Sequence, residues 1–134
     1  MNPCLDIVLR LLLAVALGAV IGFQRERMHK AAGLRTHILI SLGAALFTVV
    51  SIFGFSGMAD PARVAAGVVA GVGFIGAGVI FRGMSGEGVA GLTTAASIWA
   101  TAAVGLAAGA GMWLIAIIAA VITFGVLMIP RTRG

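Results

Sequence analysis

From residue 88 to residue 130 the chain runs 43 residues without a charge. A water-soluble domain needs polar surface at closer intervals, whereas one bilayer span takes about 20 apolar residues. The run therefore reads as two spans back to back, turning at Gly109-Ala110-Gly111. The other charges cut the rest of the chain into further pieces of membrane length. Spans are expected over about 5–23, 36–55, 62–81, 91–108 and 112–129, the last stopped by Pro130. The expected fold is all-α, a polytopic membrane bundle of five transmembrane helices in one domain, 1–134.

The first span is the short one by charge spacing. Only 14 uncharged residues separate Arg10 from Arg25. They give about 21 Å of helix at ~1.5 Å per residue, against a hydrocarbon core of about 30 Å. The helix must start near Leu5 and carry Asp6 and Arg10 into the membrane edge. A cleaved signal peptide is not expected, because the basic cluster follows the apolar segment instead of preceding it.

Composition agrees, with 61% hydrophobic and 10% charged residues, where a soluble domain carries about 25% charged. A net charge of +5 would suggest nucleic acid in a soluble protein. Here the basic residues sit at span edges, so the expected partner is the lipid bilayer, not nucleic acid. Arg25, Arg27, Lys30, Arg35, Arg82, Arg131 and Arg133 fall on one side and Arg63 on the other. That bias places the N-terminus outside and the C-terminus in the cytoplasm. Cys4 is alone and allows no intrachain disulfide.

The few charges mark the candidate sites. Asp6 and Arg10 are four apart and share a helix face. They form either a structural ion pair or a polar site that meets a cation on the outer side. Asp60 before Pro61 fits a helix N-cap; with Arg63 it lies at the same level, so an outer cluster of Asp6, Arg10, Asp60 and Arg63 is one reading. The inner cluster is Arg25, Glu26, Arg35, Thr36, Arg82 and Glu87. There Thr36 can cap the second helix, Gly33 can make the turn before it, and the two carboxylates can pair with Arg35 and Arg82.

Thr94, Ser97 and Thr101 follow a helical stripe that serves either interhelical hydrogen bonding or a polar conduit. Gly67, Gly71, Gly73, Gly76 and Gly78 mark the third span as a close-packing helix. Its Gly71-Val72-Gly73-Phe74-Ile75-Gly76 string matches a dinucleotide fingerprint but lies inside a span with no βαβ context. Trp113 reads as an interfacial anchor and Trp99 as packing. His29 and His37 lack metal spacing. No cofactor or metal is expected, and no nucleophile–base pair suggests an enzyme.

These segments together resemble the MgtC/SapB family of bacterial inner-membrane proteins. The matching strings are Asp6-xxx-Arg10-Leu11-Leu12, Leu17-Gly18-xx-Ile21-Gly22 with Arg25-Glu26, and Ala32-Gly33-Leu34-Arg35-Thr36-His37. Gly43-Ala44-Ala45-Leu46-Phe47, Asp60-Pro61-xx-Val64-Ala65 with Gly71-Val72-Gly73-Phe74-Ile75-Gly76-Ala77-Gly78-Val79-Ile80, and Gly91-Leu92-Thr93-Thr94-Ala95-Ala96-Ser97-Ile98-Trp99 complete them. Gln24 departs from a frequent Glu and Ala90 from a common basic residue. The resemblance implies a short form without the C-terminal cytoplasmic domain of longer members, or a truncation. It also implies a link to magnesium limitation, magnesium homeostasis and virulence, through action on the ATP synthase or membrane potential. Three functions follow as expectations: a regulator that contacts a membrane partner, a conduit for a small ion or solute, and a structural homodimer.

Overall fold

A computed structural model of the chain describes residues 2–55, 60–83 and 91–130, with backbone alone at 82–83. The described residues form five helices and no strand: α1 Pro3–Arg27, α2 Leu34–Phe53, α3 Pro61–Gly83, α4 Leu92–Gly109 and α5 Trp113–Leu127. The first four are long and apolar enough to cross a membrane. The first span, short by charge spacing, is the longest helix at 25 residues. Its polar residues ride inside the helix because each finds a partner there or on a neighbour.

The fifth is the short one, at 15 residues and about 22 Å. Met112, at φ −88° and ψ 61°, holds the N-cap outside the helix. At the other end the Met128 and Ile129 N–H groups bond the Gly125 and Val126 carbonyls, the tighter i→i−3 pattern of a terminating turn.

Helix starts follow their capping chemistry. Asn2 Oδ1 accepts from Cys4 N–H at 2.8 Å, with Pro3 at the first helical position. Asp60 Oδ1 accepts from Ala62 N–H at 3.0 Å, as its place before Pro61 suggests. Helix α2 differs from expectation: Thr36 lies inside its first turn, and the Leu34 N–H is taken by Glu26 Oε1 at 3.0 Å. Glu26 therefore does not pair with Arg35, which is exposed. The physical reason is chain geometry. His29 takes a left-handed φ of 56°, and Lys30 N–H reaches back to the Arg25 carbonyl, closing α1 in a Schellman-type turn. That turn folds the end of α1 over the start of α2. Glu26→Ala is expected to cost about 1 kcal/mol, with Arg35→Ala near neutral; thermal unfolding in micelles measures both.

Helices α1, α2 and α4 form the centre of the bundle. Helix α5 lies against α1 and α4, through buried Ala116 and Ala120. Helix α3 lies on the other side, against α4 and α2. In lipid, association depends on close backbone approach and hydrogen bonds more than on apolar burial. The close approaches occur at glycines of α1 and α4. A Cβ on Gly18 would stand 2.8 Å from the His37 carbonyl oxygen, and one on Gly22 would stand 2.9 Å from Leu34 Cα. On Gly109 it would stand 2.9 Å from Ala45 Cα.

The expectation for α3 is corrected within this chain. Among the described residues nothing lies within 4 Å of a Cβ built on Gly67, Gly71, Gly73 or Gly78, and Gly76 alone of the five meets a neighbour, Ala95 at 3.5 Å. Helix α3 leans on α4 and opens away from α2, leaving an apolar groove of about 610 Å³ lined by residues including Gly43, Phe47, Gly67, Gly71 and Ile75. Trp99 is likewise not packed inside the chain but 57% exposed.

Candidate functional site

Polar side chains gather at the two ends of the α1–α2–α4 core. At the first end Arg10 Nη2 donates to Asp6 Oδ2 at 3.0 Å, the one ion pair among the described residues. Its Nη1 donates to the Gly109 carbonyl at 2.7 Å, and the guanidinium lies 5.0 Å from the Phe53 ring centroid. A cation against the last carbonyls of α4 is favoured by the helix dipole. Gly111 completes the turn: φ is +85°, and a Cβ there would stand 3.0 Å from Arg10 Nη2. The α4–α5 turn is thus built around the guanidinium.

The wider outer cluster is not formed. Asp60 and Arg63 open α3 at this same end, but α1 and α3 do not touch. Helices α2 and α4 shelter Arg10, not α3 as a four-charge cluster would require. The reason is the bundle order, in which α2 and α4 stand between α1 and α3. Asp60 is occupied by capping its own helix.

At the opposite end the inner cluster and the hydroxyl stripe merge. Arg25 is only 3% exposed and its Nη2 donates to Thr94 Oγ1 at 3.0 Å. His37 is fully buried, between the Gly33 carbonyl at 2.8 Å from Nδ1 and Ser97 Oγ at 2.9 Å from Nε2. A carbonyl only accepts, so Nδ1 carries a proton; Nε2 of a neutral ring then accepts from Ser97. The same hydroxyl lies 2.7 Å from the Thr94 carbonyl, so its one proton serves either acceptor. Thr101 Oγ1 donates to the Ser97 carbonyl, and Ser41 Oγ donates to the Ala14 carbonyl at 2.6 Å.

Gln24, also buried, donates through Nε2 to the Leu127 carbonyl at 3.1 Å and ties α5 to this end. Arg25 Nε, Gln24 Oε1 and, at the far end, Arg10 Nε are buried without a partner among the described residues.

Thr94, Ser97 and Thr101 face the core together, as the stripe predicts. Arg25 joins them; Glu26, Arg35 and Thr36 do not, since Glu26 and Arg35 are exposed at the end of α1 and the start of α2 and Thr36 is half-buried in the first turn of α2. Glu87 lies outside the described residues, as does the side chain of Arg82. Sequence reasoning missed His37, Ser41 and Gln24. One signal was available: His37, Ser41 and Thr48 fall four and seven apart, a helical stripe of polar residues on one face of a mostly apolar helix.

An all-helical bundle with four membrane-length helices and charge confined to its ends defines a multi-pass membrane protein. The MgtC family profile matches residues 11–133, and the chain belongs to that family. It is 46% identical over 129 residues to the putative magnesium transporter YhiD of Escherichia coli K12, covering 91% of this chain and 59% of that protein. It is 49% identical over 118 residues to the protein MgtC of Brucella abortus, covering 88% and 48%. It is 45% identical over 115 residues to the protein SapB of Bacillus subtilis, covering 81% and 49%. The chain thus spans about half the length of these relatives. No solved structure matches it.

Proposed function

We propose that the chain is a regulator of the bacterial inner membrane that acts by contact with a partner in the bilayer, in adaptation to magnesium limitation. The observation that carries this reading is the uncovered face of α3. Its glycines stand open beside an apolar groove against α2, the surface a transmembrane helix of a partner fits. The family resemblance suggests the ATP synthase as that partner, and a second copy of the chain would use the same surface. Against conduction, the core hydroxyls of Thr94, Ser97 and Thr101 are at most 4% exposed and each is engaged in a hydrogen bond.

The test joins purified chain in liposomes with cross-linking in native membranes. Vesicles are expected to stay tight to Mg²⁺, Na⁺, K⁺ and protons. Filling the groove with Gly71→Leu is expected to remove the cross-link to a membrane complex without loss of fold. A magnesium flux would replace the regulator by a transporter. At the other end, Asp6→Asn is expected to abolish growth support at limiting magnesium while leaving membrane insertion intact. Full growth with Asp6→Asn would remove the charged end from the functional surface.

A further inference from the structure

Arg25 brings a positive charge, buried to 97%, to the first turn of α4. The guanidinium stands two residues from the end of α1 and bonds Thr94, the third residue of α4. Helix α4 starts from Gly91, at φ +87°, which offers no side chain to the first N–H groups. Those groups and the helix dipole make the start of a helix electropositive and ready for an anion. A guanidinium and a helix N-terminus therefore converge, and each raises the cost of the other in a low-dielectric setting.

No carboxylate neutralises them among the described residues. Asp6 pairs with Arg10 at the far end of α1, and Glu26 is held by the Leu34 N–H. Arg27, Lys30 and Arg35 add further positive charge around the α1–α2 turn at this end. Arg25 Nε is buried with no acceptor among the described residues. A single anion at this point would accept together from the guanidinium and from the first N–H groups of α4, which have no side-chain cap.

We propose that Arg25, Thr94 and the first turn of α4 form a binding site for a phosphate group. Its source is a phospholipid headgroup or free inorganic phosphate. A phosphate presents several acceptor oxygens, so it bridges a planar guanidinium and a row of backbone N–H groups where a smaller anion would satisfy one of them. The site is independent of whether the chain regulates or transports.

The full chain, purified and stripped of lipid in a phosphate-free detergent, provides the test. Thermal unfolding is followed with inorganic phosphate against chloride at equal ionic strength, and in phosphatidylglycerol vesicles against diglucosyl-diacylglycerol vesicles. Phosphate is expected to raise the wild-type Tm by several degrees in at least one arm. A response to vesicles alone assigns a lipid headgroup; a response to the free ion assigns a soluble anion.

Arg25→Gln is expected to weaken binding at least about tenfold, as loss of a charge-assisted bond implies. Thr94→Val, a milder change, weakens it less and serves if Arg25→Gln does not fold. A wild type silent in both arms overturns the proposal. So does a response that neither variant reduces. A silent wild type that becomes responsive in Glu87→Gln also overturns it, because the chain would then supply its own counter-charge.

Discussion

Gly105→Ala is expected to destabilise the bundle by about 3 kcal/mol, the largest effect of a glycine-to-alanine change among the described residues. The added Cβ would stand 2.8 Å from both Ser41 Cα and its carbonyl carbon, and nearer still to the carbonyl oxygen. All three are backbone atoms of α2, so no rotamer change relieves the clash; α2 and α4 must move apart. That separation pulls Ser97 from His37 and loosens the packing of Ala45 against Val104 and Ala108. Gly71→Ala is the control. No described residue lies within 4 Å of its Cβ, so its effect stays within about 0.5 kcal/mol. Unfolding of the purified chain in micelles of fixed composition measures both. Equal losses would mean that the α3 face is as tightly covered as the core.

His37→Leu is expected to cost about 3 kcal/mol. Leucine fills much of the volume but cannot meet either neighbour. It leaves the Gly33 carbonyl short of the ring donor, although that oxygen still accepts from the His37 N–H. The Ser97 hydroxyl turns fully to the Thr94 carbonyl. Ser97→Ala removes the smaller partner and is expected to cost about 1 kcal/mol. Because the two residues share one bond, the double variant is expected to cost less than the sum, by about 0.5 kcal/mol or more. Exact additivity would mean that the imidazole and the hydroxyl act independently.

Much of the architecture was legible in the charge spacing. Span ends fall where Arg27, Asp60, Arg82 and Pro130 fall, because a charge at mid-bilayer is costly and a bilayer has one thickness. Asp60-Pro61 announced its helix start, and Asp6 and Arg10 announced their pair, since capping and i,i+4 contacts are local. The stripe of Thr94, Ser97 and Thr101 was legible as one face for the same reason.

What the stripe faces was not legible. Arg25 is 69 residues from Thr94, His37 is 60 from Ser97, and Arg10 is 99 from Gly109. No local rule links such positions. The glycines carry the same lesson: Gly18-xxx-Gly22, Gly67-xxx-Gly71 and Gly105-xxx-Gly109 share one spacing, yet within the described residues only the first and last pairs make close contacts. Motif spacing shows that a face is thin but not which face finds a neighbour.

The order of apolar and charged residues by itself determined the helical class, the length of the spans and the family, since bilayer thickness and backbone hydrogen bonding act on each segment alone. Only the tertiary structure decided that α2 and α4 shelter Arg10, that Arg25 meets the start of α4, and that α3 keeps an open face. Those outcomes depend on which helices stand side by side, and in an apolar medium that choice rests on shape and hydrogen bonds between segments far apart in the chain.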